Sequence, residues 1–299
     1  MSQATEAFGT VLTAMVTPFT KDGSKVDYDA LAKLANDLVD LGNNGLVVSG
    51  TTGESPTTDE HEKLEILKVV KSTVGNRAKI VAGAGSNDTA HSVLLAKDAV
   101  KAGADGLLVV TPYYNKPPQD GIIAHMTTVA DSTDLPVMLY DIPGRAGVAI
   151  STESMIKLSK HPKIIANKDA KGDLWAASEV MAKTDLAYYS GEDALNLALL
   201  SLGATGVVSV TGHIVADRHK AMVEAVKSND LAKAQTINNG LVPVTDGIMN
   251  RVGGAIMVKA ALDLLGRPGG GFLRLPLIPA TQAQRDTLRT DLIAGGFKL

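Results

Sequence analysis

Tyr140, Arg145 and Lys168 stand in one stretch, residues 136–173, whose pattern is strand, tight turn, helix, strand. A lysine amine attacks a carbonyl only when it is neutral. The apolar run Ile164-Ile165-Ala166 ahead of Lys168 would favour the neutral form by withholding water. A phenol such as that of Tyr140 can pass protons to and from a reacting carbonyl. Arg145, just past the turn at Pro143-Gly144, suits a bidentate grip on a carboxylate. Each has a plainer reading, Lys168 as a solvated strand end and Arg145 as a surface cation. Two successive strands of a βαβ unit run parallel, so Tyr140 and Lys168 should emerge at the same sheet edge. Parallel sheets hold their active sites at that edge. Strand alternation puts Lys168 on the face of Ala166 and Ile164.

Other groups point the same way less directly. Gly50-Thr51-Thr52-Gly53-Glu54 follows an extended run; its backbone N–H groups and hydroxyls suit a small anion such as a carboxylate, or form a plain turn. It lacks the spacing of a phosphate-binding loop. Tyr113-Tyr114 opens a polar loop stiffened by Pro117-Pro118, and fits a proton donor, a stacking surface or a subunit contact. The six histidines show no HxH or HExxH spacing, so no metal site is expected, and no cofactor is implied. Trp175, the single tryptophan, is expected to pack a helix.

The elements that would position these groups alternate along the chain. Strands are expected at 10–16, 45–48, 79–82, 106–110, 136–140, 163–168, 186–189 and 206–210. Amphipathic helices are expected at 28–41, 59–74, 90–101, 119–132, 152–159, 174–183, 194–202 and 215–227. Eight strand–helix units fit a closed (β/α)8 TIM barrel, an α/β fold, better than an open doubly wound sheet. Beyond them, helices are expected at 231–242, 245–251, 255–265 and 281–294, with a Gly-rich break at 267–271. The organisation that follows is a catalytic barrel over 1–228 and a C-terminal helical extension over 229–299 packed on it.

Composition narrows the class. Hydrophobic residues are 45% and charged residues 20%, the balance of an ordinary globular protein with room for a large core. A formal net charge of −3 gives no reason to expect nucleic acid or an anionic membrane as a partner. The absence of cysteine excludes disulfides and thiolate chemistry. The start MSQATEAFG lacks the basic and apolar regions of a signal peptide, and no apolar run approaches the ~18 residues that cross a bilayer. A cytoplasmic enzyme is the expectation.

Taken in order, GTTGE, TPYYNKP, LYDIPGR and IIANKDAKGD resemble the dihydrodipicolinate synthase family. That family belongs with the pyruvate-dependent Schiff-base lyases and aldolases that include N-acetylneuraminate lyase. The resemblance spans nearly the whole chain, ending near the RLPL stretch. It implies condensation of pyruvate with L-aspartate 4-semialdehyde, opening the diaminopimelate route to lysine. It implies that Lys168 forms the imine, with Tyr140 as general acid/base and Thr52 and Tyr114 completing a proton relay to which Thr51 also belongs. The Thr51–Thr52 backbone would hold the pyruvate carboxylate, and Val208 would line that site. Gly191 would lie near the second substrate, and Arg145 would take its carboxylate. Tyr114 would be lent by a neighbouring subunit, implying a homodimer at least, commonly paired into a tetramer. Of a lysine effector pocket, Ser55, Asn87 and Tyr113 match. Glu60, Lys63 and His91 depart from it, leaving the pocket vestigial. The alternatives are another lyase of the superfamily, cleaving a sugar acid, and a keto-acid sensor without turnover.

Overall fold

Short apolar runs can satisfy their backbone groups only by pairing, and eight of them close into one ring in the computed structural model, which describes residues 2–299. The strands are β1 Val11–Ala14, β2 Gly45–Val48, β3 Lys79–Gly83, β4 Gly106–Val110, β5 Val137–Asp141, β6 Ile164–Asp169, β7 Ala187–Ser190 and β8 Gly206–Ser209. Each pairs in parallel with the next, and β1 closes on β8, the topology of a (β/α)8 TIM barrel. The helices up to the last strand are α1 Gln3–Phe8, α2 Tyr28–Asp40, α3 Glu60–Val74, α4 Thr89–Lys101, α5 Gln119–Asp131, α6 Pro143–Ala146, α7 Thr152–Leu158, α8 Leu174–Lys183 and α9 Asn196–Ser201. After β8 come α10 Gly212–Lys227, α11 Leu231–Thr245, α12 Gly254–Leu264 and α13 Gln282–Ala294.

Many of the helices that follow a strand start on a side-chain cap. Asp27, Asp59, Asp88, Ser151 and Asp173 each accept from a backbone N–H in the first turn of the helix that follows. At α3 the cap is reciprocal, with Glu62 reaching back to the Asp59 N–H. These caps fix where the loops at the carboxyl ends of the strands stop, and so shape the rim.

Two cores result. Outward-facing strand residues pack against the helices, while Leu12, Val47, Val81, Met138, Ala166 and Val208 fill the barrel. The sequence reading missed α1, which closes the barrel's other end. Phe8 meets the Tyr189 ring edge-on at 6.3 Å, and the Tyr189 hydroxyl donates to Gly9 O at 2.8 Å. A Cβ at Gly106 would lie 2.4 Å from the Phe8 ring, so the start of β4 has no room for a side chain.

Other departures have physical causes. β5 and β6 run one residue past Tyr140 and Lys168, because Asp141 and Asp169 still pair. The pairing skips Ile165, passing from Val137–Ile164 to Met138–Ala166. This bulge breaks the alternation, so Ile164 faces the helices and does not share the inner face with Ala166 and Lys168. The helix expected from Val215 begins at Gly212, with Val215 as a non-helical kink at φ −136°. The helix expected at 245–251 is a π-helical turn, Asp246–Asn250, continuing α11. Trp175 does not pack a helix; it is 81% exposed at the start of α8. Among the described residues no helix is long and apolar enough to cross a membrane.

Candidate active site

The register of β5 and β6 sets Tyr140 opposite Lys168, and both point into the barrel above Met138 and Ala166. Lys168 Nζ lies 4.0 Å from the centre of the Tyr140 ring. Only 5% of Lys168 is exposed, and that burial takes its pKa from 10.5 down to about 8; nearby Asp193 opposes the shift. Burial likewise pushes the Tyr140 phenol up to about 12, with Arg145 and the Thr51 hydroxyl pulling the other way. One residue further along each strand, Asp141 and Asp169 are buried on the outer side. Asp141 accepts from the Ile150 N–H, and Asp169 from the N–H groups of Lys171 and Gly172. They tie down the loops that follow the phenol and the amine.

Gly191, at the end of β7, is packed on the lysine itself. A Cβ there would come within 2.7 Å of Lys168 Cγ and 2.9 Å of Cε. The next residue, Glu192, lines the same cavity of about 150 Å³ as Lys168, Thr52 and Arg145. A larger cavity of about 470 Å³ adjoins it through Thr51, Tyr140, Ile142 and Arg145, and reaches Ser55, Tyr113 and Tyr114. Val208 is buried in the inner core below.

The loop carrying Thr51 and Thr52 is held at both ends. Ser49 and Glu54 adopt left-handed conformations, φ 55° and 56°, that a non-glycine residue keeps only under constraint. Thr17 Oγ1 donates to Gly53 O at 2.6 Å. Both Glu54 oxygens are engaged, one by Lys259 Nζ at 2.6 Å and the other by the Arg274 N–H at 2.9 Å. Lys259 and Glu54 are each about 1% exposed, and Lys259 also donates to Phe272 O. Arg274 forks onto Glu62 and, like Lys259, lies over the Phe19 ring. Of the two threonines that the family resemblance assigns to the relay, Thr51 has its hydroxyl toward the phenol and Thr52 is the more buried.

Tyr114 takes φ 74° and is 87% exposed at the rim. Its loop is fastened by Asn115 Nδ2 donating to Asn87 O. His91 Nε2 lies 3.3 Å from Glu60 Oε1, and Lys63 donates to Thr58 O. Glu60 and Lys63 line a small space of about 20 Å³ beside Leu64 and Asp98, whereas Ser55 and Tyr113 face the larger cavity. His213 and His219 are buried in hydrogen bonds. His213 Nε2 accepts from the Val16 N–H and its Nδ1 donates to Val210 O; His219 meets Thr211 Oγ1.

Sequence reasoning missed Glu192, Lys259 and Arg274. GTTGE contained Glu54 and RLPL contained Arg274, two of the clamp's three residues, but nothing local marks the two motifs as partners. Glu192 carried a signal, following Gly191 directly in a loop at a strand's carboxyl end.

A buried amine of lowered basicity beside a phenol, at the mouth of a (β/α)8 barrel, is the equipment of an enzyme that activates carbonyls as imines. The sequence model of the Dihydrodipicolinate synthetase family matches residues 7–294, and the chain belongs to that family. A 4-hydroxy-tetrahydrodipicolinate synthase of Kineococcus radiotolerans is 55% identical over 99% of this chain and 96% of its own length. The enzyme of that name from Mycolicibacterium paratuberculosis is 56% identical over 96% of this chain and 94% of its own. The crystal structure of DHDPS from Cyanidioschyzon merolae with lysine bound superposes with a TM-score of 0.94 at 43% identity, over 97% of this chain and 99% of that one.

Proposed function

We propose that this chain condenses pyruvate with L-aspartate 4-semialdehyde through a Schiff base on Lys168, giving 4-hydroxy-tetrahydrodipicolinate. The observation that carries the reading is the buried Lys168 amine, 4.0 Å from the Tyr140 ring centre and facing the cavity, where loss of water lowers its pKa to about 8. The neutral amine adds to the pyruvate carbonyl and water leaves, with Tyr140 passing the protons. Loss of a methyl proton from the imine gives the enamine, whose carbon attacks the aldehyde. The semialdehyde's amine then displaces Lys168 as the ring closes. Thr51, in reach of the phenol, connects Tyr140 to the rim; Tyr114 of a second subunit completes the relay. The backbone of Thr51 and Thr52 holds the pyruvate carboxylate, above Val208. Arg145 holds that of the semialdehyde, beside Gly191.

In this reading residues 1–228 are the catalytic barrel, residues 229–299 the helical region that braces it, and the enzyme works in the cytoplasm. A ring as exposed as Tyr114, on constrained backbone at the cavity's edge, supports a homodimer at least, and paired dimers suit the exposed Trp175. Ser55, Asn87, Tyr113, Glu60, Lys63 and His91 are read as a vestigial lysine pocket. The direct test is borohydride reduction in the presence of pyruvate, followed by peptide mapping. One pyruvate-derived adduct per chain on Lys168 is expected; an adduct on Lys116 or Lys171, with Lys168 unmodified, would refute the assignment.

A further inference from the structure

Two opposite charges flank Lys168, near enough to feel it but in no direct ion pair with it. Arg145 follows β5 and Glu192 follows β7, the neighbours of β6 on either side, so they approach the lysine from opposite flanks. Both line the cavity that contains Lys168. Among the described residues neither enters an ion pair, with each other or with anything else. Burial raises the Glu192 pKa; the Ala194 N–H and, at longer range, the Lys168 and Arg145 cations oppose that without cancelling it. The adjacent acid behaves differently: Asp193 accepts from the N–H groups of Val210 and Thr211 and from Asn196, and is occupied in holding the loop.

A half-buried carboxylate in no direct ion pair costs stability unless a ligand completes it. Pyruvate has no cation to offer. A molecule carrying a carboxylate and an ammonium on one carbon answers both charges at once. We propose that Glu192 selects the second substrate as an α-amino acid, receiving its ammonium while Arg145 receives its carboxylate. This rests on the synthase reading above and assigns the half of substrate recognition that Arg145 leaves open.

The test compares wild type with Glu192→Gln and Glu192→Asp, using L-aspartate 4-semialdehyde as substrate and 4-oxobutanoate as a competing ligand. The second compound keeps the aldehyde and carboxylate and lacks the amine. Loss of a charge-assisted hydrogen bond should raise the KM for the semialdehyde about tenfold or more in Glu192→Gln, and less in Glu192→Asp. Inhibition by 4-oxobutanoate and borohydride trapping of pyruvate should both stay within about twofold of wild type. A KM that does not move in Glu192→Gln overturns the proposal. So does an equal loss for 4-oxobutanoate, or a slowed trapping step, which would place Glu192's effect on the loop or on Lys168. Wild-type protein that traps pyruvate but condenses no semialdehyde would refute the synthase reading, and this proposal with it. Normal wild-type turnover with an unmoved variant would refute this proposal alone.

Discussion

At the residue scale the barrel interior determines what Lys168 and Tyr140 can do. Withholding water lowers the amine to about 8 and raises the phenol to about 12, so near neutral pH the first is partly free to attack and the second keeps its proton to give. Attack needs the neutral amine. The initial rate of pyruvate trapping should therefore rise about tenfold per pH unit below 8 and flatten above it; a rise continuing to pH 10 would mean an amine of ordinary basicity. Tyr140→Phe should slow turnover about 10²–10⁴-fold, measured as kcat with both substrates saturating. The same burial has a thermodynamic sign. Below pH 8 both folded and unfolded chains carry the lysine charge, and the folded state bears its full desolvation cost. Between about 8 and 10.5 the unfolded chain binds the extra proton, so stability rises with pH across that window. Lys168→Met should raise Tm at pH 7, with the gain shrinking as pH climbs from 8 towards 10.5.

At the element scale, the strand–loop–helix unit that delivers Thr51 and Thr52 is completed from the far end of the chain. Glu54 holds its left-handed turn because Lys259 on α12 and the Arg274 N–H occupy both of its oxygens. Lys259→Met leaves a buried carboxylate without its cation and should cost about 3–5 kcal/mol of stability. Replacing both partners, as Glu54→Gln with Lys259→Met, should recover part of that loss in thermal unfolding, because no lone charge remains. If the clamp sets the threonine loop, the single variant assayed well below its Tm should still show a raised KM for pyruvate; an unchanged KM would make the clamp purely structural. Such a contact is not legible in sequence, since its partners lie 205 positions apart with no local pattern joining them. The barrel was legible because each strand is an apolar run and each amphipathic helix repeats its own period. The six residues of α1 are too few to show one. The bulge at Ile165 was hidden because register belongs to the pair of strands rather than to either.

At the scale of the whole molecule, the proposed loan of Tyr114 to a neighbour's relay requires an assembly, and that can be tested by mixing. Lys168→Ala and Tyr114→Phe chains should each be nearly inactive alone. Refolded together in equal amounts they should regain up to about a quarter of wild-type activity, because each hybrid dimer contains one intact site. No recovery would place Tyr114 in its own chain's site. The same assembly frames the response to the pathway's end product. Lysine-sensitive relatives offer a glutamate to the ligand's α-amino group, where this chain has His91. Loss of that charge-assisted bond is worth about 1.5–3 kcal/mol, or roughly ten- to hundredfold in affinity. Glu60 is turned to His91, 3.3 Å away, so any help it gave the ligand would compete with that contact. In the proposed pocket Lys63 would add a cation where a cationic amine would sit. L-Lysine at millimolar concentration should leave the initial rate almost unchanged at fixed substrates. Half-inhibition below about 1 mM, a binding free energy of about −4 kcal/mol, would show that Ser55, Asn87 and Tyr113 suffice to hold it.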